Sequence, residues 1–275
     1  MSARTTKKSA DRRRRVLRGL GLVVLALALG AAWLWQRTLP LEAIDVVGAE
    51  HAPEAEVAAL TRAEPDSIAL FSLSPALMED RVQAHPWVAS ASVRRLPTGT
   101  LRIAVRERVP VALVLDGEGR QSHFLDAAGY AMPVAAASPA VYDVPVLTNV
   151  PPYHPTQPVA SAGLRSFLAA LAQADESTQA LVSEVQWGRR PTLWTTPVAA
   201  HGSLPVRLGT APGEHADQLR RLRAFWDQAV LPQPGVRFDL VDLRFDGQVV
   251  TRERGPGTAP DSTEAAPPAA SAPPA

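Results

Sequence analysis

The residues best suited to chemistry are six histidines and an aspartate–arginine pair near the end of the chain. The histidines are scattered, and none stands three or four residues from another, the spacing that places two metal ligands on one helix face. They are His51, His85, His123, His154, His201 and His215. Asp242 and Arg244 project to one face of a strand, as an acid and its orienting partner would in an enzyme. With no third polar group nearby in sequence, a structural or interface ion pair is the better interpretation, and no metal site is predicted.

Motifs that bind nucleotides or activate a nucleophile are absent from the sequence. It holds no G-x-S-x-G elbow, no Walker loop and no G-x-G-x-x-G fingerprint, and it has no cysteine to serve as a nucleophile or zinc ligand. Trp87 follows Pro86 at the start of an alternating segment, a position more typical of a core ring than of a ligand-stacking platform. The sequence therefore predicts no catalytic residue, no cofactor and no small-molecule substrate.

The first eighteen residues carry dense positive charge ahead of an apolar run. Eight lysines or arginines stand there against the single acid Asp11. Residues 19–36 then hold no charged side chain and would cover roughly 27 Å as a helix, close to the ~30 Å of a bilayer core. Because positive charge is retained on the cytoplasmic side, we expect a basic cytoplasmic stub over 1–17, a transmembrane helix over 18–37, and the remainder outside the cytoplasm.

The same segment could also be a cleaved signal peptide or a nucleic-acid-binding run. Ala28-Leu29-Gly30 is a small-residue pattern of the kind that precedes signal-peptide cleavage. Trp33 and Trp35, just beyond it, are instead typical of the interfacial residues of a retained anchor. An arginine run can also bind nucleic acid, but that role needs no apolar neighbour. We expect a retained membrane anchor and no nucleic-acid partner.

Residues 41–107 follow the order strand, helix, helix, strand, strand. The first helix is predicted over 53–61 and the second over 75–84, with Ser74 as the N-cap of the second. The inward residues of the second helix are expected to be Leu77, Met78 and Val82. After a turn at 97–99, apolar residues alternate with polar ones at Leu101, Ile103 and Val105. This pattern predicts a hairpin with one buried face.

From residue 109 to 253 the sequence is rich in short strand patterns around two amphipathic helices. The helix predicted over 163–174 carries an apolar stripe of Leu164, Phe167, Leu168 and Leu171. The helix predicted over 214–229 carries a second stripe of Leu219, Leu222, Phe225 and Trp226, and its arginines, Arg220, Arg221 and Arg223, are expected on a solvated face. Residues 254–275 are rich in Pro and Ala and are expected to be a disordered tail.

These patterns together predict an α+β fold class. Its parts are an N-terminal transmembrane helix, a βααββ module over residues 38–108, and a strand-rich mixed domain over 109–253 with flanking amphipathic helices. The apolar pattern of the βααββ module closes on itself between Leu41 and Val105, so we expect this module to fold on its own.

Several short stretches, each weak alone, occur along the chain in a specific order. They are Val46-Val47-Gly48, Phe71-Ser72-Leu73, His85-Pro86-Trp87-Val88, Arg106-Glu107-Arg108-Val109-Pro110, Phe124-Leu125-Asp126 and Leu240-Val241-Asp242-Leu243-Arg244-Phe245. With the basic stub and the span, this order over residues 12–253 resembles the FtsQ/DivIB family of bacterial cell division proteins. The resemblance implies that the βααββ module is a POTRA domain. Two positions depart from the family pattern: Ala49, where asparagine is common, and Phe245, where tyrosine is usual.

The resemblance implies a non-enzymatic scaffold of the divisome, anchored in the bacterial inner membrane at the septum as a single-pass, type II protein. In the family, the last strand of the second domain binds FtsB, which forms a complex with FtsL. We therefore expect FtsB-like and FtsL-like partners, together with other divisome components. We expect the last strand of this chain to run over residues 245–252. The resemblance, carried over by position, then implies these partner-binding residues: Phe245, Gly247, Gln248, Val249, Val250, Thr251 and Arg252. Gly247 is expected to provide a turn or a close backbone approach, and Phe245 an aromatic anchor.

Two other classes of protein remain open at this point. An envelope assembly or secretion component can also carry a POTRA module, but it should end in a barrel of many alternating strands. A periplasmic enzyme on a membrane anchor should show a convergent cluster of titratable groups in a pocket.

Overall fold

The computed structural model describes residues 4–66, 68–134, 142–199 and 201–254; side chains of residues 4–17, 36 and 37 are not among those described. The chain divides into two compact units between Arg108 and Val109. The predicted tail lies outside the described residues apart from Arg254. The side chains of the predicted basic stub lie outside them as well.

The first unit begins with one long helix, α1, from Arg4 to Thr38. Among the described residues it alone is long and apolar enough to cross a membrane, by length and composition, over the window Arg18–Trp35. None of that window is buried, and large side chains such as Leu22 and Trp33 are exposed. Thr38 closes the helix by donating its hydroxyl hydrogen to the carbonyl of Trp35 at 3.1 Å. A helix that is apolar on all sides, and whose apolar side chains are not covered by the rest of its own chain, is typical of a membrane span.

The remainder of the first unit has the predicted βααββ order. Its elements are β1 (Ala43–Val47), α2 (Glu54–Leu60), α3 (Pro75–Gln83), β2 (Val88–Arg95) and β3 (Thr100–Glu107), with a 3₁₀ turn at Leu70–Ser72 before α3. β3 lies at the centre of a three-stranded sheet, parallel to β1 and antiparallel to β2. β1 and β3 can pair in parallel because two helices and the antiparallel strand β2 lie between them in sequence, so the chain returns to the starting end of β1 before it enters β3.

The core of this unit lies on one face of the sheet, where Leu101 and Ile103 are fully buried. Met78 and Val82 of α3 are buried as predicted, but Leu77 is 49% exposed, so its inward placement is wrong. Met78 and Val82 stand four residues apart and define the buried stripe, and Leu77 falls outside that stripe.

The start of α3 also differs from the prediction. Ser74 occupies the N-cap position, but its side chain makes no capping hydrogen bond. Only its carbonyl takes part, accepting the N–H of Met78 at 3.2 Å. Pro75 has no backbone N–H, so the first turn of α3 contains one donor fewer for a side-chain cap to satisfy.

Glu107, the last residue of β3, ties the end of the sheet to the loop that follows β1. Its carboxylate accepts the backbone N–H groups of Glu50, His51 and Ala52 at 2.8 to 3.1 Å, and the imidazole Nδ1 of His51 lies 2.7 Å from it. Burial raises the pKa of Glu107, but the hydrogen bonds from Ala52, His51 and Glu50 outweigh it and hold the pKa below its usual value of 4.5. The ionised carboxylate therefore stabilises this unit.

We expect Glu107→Gln to destabilise the first unit by ~1–2 kcal/mol at pH 7, because the amide loses charged hydrogen bonds. Since the folded pKa of Glu107 is depressed, its contribution is complete above the unfolded pKa and is lost as the pH falls through the folded value. Denaturant unfolding from pH 7 to pH 3 should therefore show a shallower loss of stability in Glu107→Gln than in the unaltered chain. The control is Glu50→Gln, which keeps the backbone N–H; an equal effect of both substitutions would contradict the assignment.

The second unit contains nine strands and three α-helices within the described residues. They are β4 (Pro110–Leu115), β5 (Gln121–Asp126), β6 (Ala131–Pro133), β7 (Val146–Thr148), α4 (Ala162–Gln173), α5 (Glu176–Gln179), β8 (Val182–Gln186), β9 (Thr192–Thr195), β10 (Pro205–Arg207), α6 (His215–Phe225), β11 (Phe238–Asp242) and β12 (Val250–Glu253). One sheet joins all nine strands in the order β12-β11-β10-β9-β8-β7-β4-β5-β6. The pairs β4–β7, β7–β8 and β10–β11 are parallel and the others antiparallel.

Two helices of this unit contribute to its apolar core, as predicted. The α4 stripe is buried, and Ser161 caps the helix by accepting the N–H of Leu164 at 3.2 Å. The second helix is less regular than predicted, because α6 ends at Phe225 and the chain continues as a π-helical turn, Trp226–Val230. The predicted α+β fold class is confirmed: an N-terminal apolar helix, a βααββ module and a strand-rich mixed sheet.

Candidate partner-binding edge

The predicted partner-binding segment, residues 245–252, is not one continuous strand. It begins as a turn that reverses the chain after β11, and only Val250–Glu253 form a strand. Gly247 lies in this turn with φ of +64°, a left-handed conformation that glycine adopts without steric penalty. The strand prediction is therefore wrong in its first half, because the pair Asp246-Gly247 has the chemistry of a turn.

The strand that does form, β12, is the outermost strand of the nine-stranded sheet. It pairs antiparallel with β11, and Asp242 stands opposite Val250, Val241 opposite Thr251 and Leu240 opposite Arg252. In the part of the chain that the structure describes, no strand pairs with the other side of β12. The sheet thus ends in an open edge, defined here as the outward side of Val250–Glu253.

The direction of the backbone groups on β12 follows from one hydrogen bond beyond its end. The N–H of Arg254 donates to the carbonyl of Arg237 at 2.7 Å and so faces β11. Because backbone groups alternate sides along an extended strand, those of Arg252 and Val250 also face β11. Those of Thr251 and Glu253 face away from the sheet. An added strand would therefore bind the N–H and carbonyl groups of these two residues.

The side chains around the open edge are partly apolar. Phe245 is 50% exposed and Val250 is 44% exposed, whereas Val249 packs partly buried against the core of the unit. The guanidinium carbon of Arg244 lies 6.0 Å from the centre of the Phe245 ring. Exposed polar residues of the predicted set complete the surface: Gln248, Thr251 and Arg252. The structure thus places all seven predicted residues on one hairpin, in its turn and its outer strand.

Asp242 and Arg244 form the ion pair that the sequence suggested. The Nη2 atom of Arg244 lies 2.6 Å from the buried carboxylate of Asp242, which also accepts the backbone N–H of Arg244 at 3.1 Å. Hydrogen bonding from the Arg244 side chain, opposed by burial, holds the pKa of Asp242 below its usual range. The pair closes the end of β11 where the chain enters the turn, which is a structural role.

Arg221 of α6 is a contact of this hairpin that the sequence analysis missed. It was expected on a solvated face, but its side chain is only 16% exposed, and its guanidinium binds backbone carbonyls in the turn between β11 and β12. The carbonyls belong to residues 22 to 27 positions away in sequence. The expectation of a solvated arginine face is therefore wrong for this residue. The reason is that no local sequence pattern indicates a contact between residues so far apart along the chain.

The two neighbouring arginines also have partners. Arg220, 73% exposed, pairs with Asp217 at 2.9 Å, and Arg223 pairs with Asp227 at 2.6 Å and donates to the carbonyl of Ser177 at 3.3 Å. The helix face is therefore charged but internally paired, which lowers its value as an independent binding surface.

The two buried histidines, His123 and His215, belong to β5 and α6 and not to the open edge. Burial lowers the pKa of His123 to about 4, and this residue belongs to β5, near the opposite end of the sheet from β12. Burial also lowers the pKa of His215, against a hydrogen bond with the carbonyl of Gly209. Among the residues that the structure describes, no three His, Asp or Glu side chains are grouped so that they could hold a metal ion.

The comparison with family models finds one match in the first unit. Residues 39–108 match the model described as POTRA domain, FtsQ-type. The matched range begins directly after α1 and ends at the boundary between the two units.

Similarity to curated proteins extends over nearly the whole chain. A protein of Rhodothermus marinus named "Cell division protein FtsQ" is 48% identical over 255 residues, which cover 91% of each chain. A protein of Salinibacter ruber with the same name is 39% identical over 243 residues, covering 86% of this chain and 92% of the relative. A third, from Koribacter versatilis, is 27% identical over 266 residues, covering 89% and 71%. Both units are therefore included in the similarity.

Proposed function

The chain belongs to the FtsQ family of cell division proteins, and from that premise we propose that it is a non-enzymatic, membrane-anchored scaffold of the divisome. The observation that carries this proposal is similarity over 91% of the chain, at 48% identity, to a relative named for cell division. The similarity includes the second unit as well as the POTRA domain, which favours division over the other POTRA-containing classes, envelope assembly and secretion. The role then consists of holding other division proteins together at the septum.

Anchoring is the first part of this proposed role. The window Arg18–Trp35 has the length and composition of a membrane span, and eight basic residues lie at or before its first residue. By the positive-inside rule the N-terminus is cytoplasmic, and the βααββ module and the second unit are periplasmic, the type II arrangement. A tether of this kind raises the effective concentration of the βααββ module and the second unit for other proteins in the same membrane, so modest contacts suffice.

The topology has a direct test. A phosphatase that is active only in the periplasm, fused after residue 110, is expected to be active in the native bacterium. Mass spectrometry of the membrane fraction should then recover peptides from residues 1–37. A mature chain that begins near Ala31 would instead identify the apolar segment as a cleaved signal peptide.

The second part of the proposed role is partner capture by strand addition at the open edge. A strand edge with free N–H and carbonyl groups binds an extended segment through backbone hydrogen bonds, and side-chain contacts supply specificity. Thr251 and Glu253 offer those backbone groups, and Phe245 and Val250 offer exposed apolar surface beside them. The charges of Arg252 and Glu253 disfavour indiscriminate pairing with other edges.

The partner that we propose for this edge is an FtsB-like protein in complex with an FtsL-like protein. Support comes from the family resemblance of the closing stretch, Leu240 to Phe245, and from the position of β12 after the turn that follows this stretch. Phe245 stands where the family usually has tyrosine, so its ring would act as an apolar anchor without a hydroxyl contact.

Depletion of the chain in its native bacterium tests the role in division. Cells are expected to grow into filaments without completed septa, and the unaltered chain should restore division when it is supplied again. Normal septation in fully depleted cells would remove the protein from the division machinery.

A further inference from the structure

The turn that leads into β12 is held by a single side chain of a neighbouring helix. Arg221 of α6 donates through Nη1 to the carbonyls of Phe245 at 2.7 Å and Gln248 at 2.5 Å. It donates through Nη2 to the carbonyl of Leu243 at 3.2 Å. One guanidinium therefore fixes both ends of the turn between β11 and β12.

The orientation of this guanidinium is fixed in turn by Asp217, one helical turn earlier. Nε of Arg221 lies 2.7 Å from the Asp217 carboxylate. The planar guanidinium group has several N–H donors in fixed directions, so it can donate to a carboxylate and to separate carbonyls at the same time. Lysine has one compact ammonium group and cannot span the same set of acceptors. The site thus uses a property specific to arginine.

β12 has few other attachments in the described part of the chain. Its four residues are all exposed, and it pairs on one side only. Beyond its end, the N–H of Arg254 donates to the carbonyl of Arg237, just before β11, and its side chain forms an ion pair with Asp239 of β11 at 2.6 Å. A strand with so little buried surface opens locally at low free energy, so a contact that fixes its turn has a large influence on how often it is paired.

We infer that Arg221 is a positioning residue for partner capture: it holds the turn of the β11–β12 hairpin so that the open edge is preformed. The inference rests on the proposed function of that edge. When only a fraction of the molecules has the binding-competent conformation, the apparent Kd rises in inverse proportion to that fraction. Loss of the clamp is therefore expected to weaken capture without removing any group that touches the partner.

The test uses Arg221→Ala in the full chain, with Arg220→Ala as the matched control. Arg220 pairs with the same Asp217 but lies 73% exposed, and within the described residues it has no hydrogen bond to the turn. In the free chain, amide exchange over 243–253 is expected to accelerate in Arg221→Ala by about tenfold, while exchange in the core strands is unchanged. The apparent Kd for a purified FtsB-like and FtsL-like pair from the same organism should rise by about tenfold at unchanged stoichiometry. Arg220→Ala should match the unaltered chain in both.

A second variant, Arg221→Lys, guards against a general loss of folding. It keeps the positive charge beside Asp217 and most of the aliphatic stem, and it should still show accelerated exchange confined to the hairpin. Unchanged hairpin exchange in both variants would overturn the inference. Accelerated exchange with undiminished capture would overturn it too, because order in the hairpin would then not limit binding. If the unaltered chain does not capture the pair, the proposed function itself fails, and the role of Arg221 in capture fails with it.

Discussion

Replacing Thr251 with proline is expected to weaken partner capture strongly while leaving the second unit folded. The N–H of Thr251 faces away from the sheet, and proline is tolerated at such positions on edge strands because no internal hydrogen bond is lost. It removes a donor that an added strand needs and places a ring where that strand would pair. We expect affinity to fall by on the order of a hundredfold, corresponding to ~2.7 kcal/mol, in a binding assay with the FtsB-like and FtsL-like pair.

The adjacent residue supplies the matched control for this experiment. The N–H of Val250 faces β11, so Val250→Pro should disturb the pairing of β11 with β12 and lower the thermal stability of the second unit. Thr251→Ala, which keeps the backbone N–H, should bind nearly as well as the unaltered chain. Normal capture by a folded Thr251→Pro protein would exclude strand addition at this edge.

Replacing Trp87 with alanine is expected to destabilise the first unit by about 3–5 kcal/mol. The indole is 4% exposed directly before β2 and stacks on the imidazole of His51, with ring centres 5.1 Å apart and planes 16° apart. Alanine would remove most of the apolar contacts of this ring and leave a cavity between the β2 start and the 50–52 loop. Denaturant unfolding monitored by amide exchange in the first unit measures this loss of unfolding free energy.

Leu77→Ala is the control for this substitution, because Leu77 lies in the same unit but is 49% exposed. Its cost should stay below about 1 kcal/mol. If Trp87→Ala cost no more than Leu77→Ala, the ring would not be part of the core, and its alternative role as a partner-binding surface would have to be considered.

The first unit was largely predictable because its signals are local. Apolar alternation, the turn at 97–99 and the proline that opens α3 each act within a few residues. The burial of Leu101, Ile103 and Val105 followed from period-two alternation alone. The errors, at Leu77 and at the Ser74 cap, concern single side chains whose placement depends on packing between elements.

The candidate site was predictable only in part, because its geometry is set by distant pairings. The Asp242–Arg244 pair was found because both residues lie within one local stretch. The position of β12 at the end of the sheet depends on the order of nine strands, which no local pattern gives. The clamp by Arg221 joins a helix to a turn more than twenty residues away, so helix periodicity alone assigned this residue to solvent.

Amide exchange at Thr251 and Glu253, with and without bound partner, tests the central claim most directly. If the FtsB-like segment adds a strand to the open edge, both amides should be protected by about tenfold or more in the complex, because their N–H groups become hydrogen-bonded. The amide of Val250, already directed toward β11, should change less. Full occupancy of the partner with unchanged exchange at Thr251 and Glu253 would contradict the account.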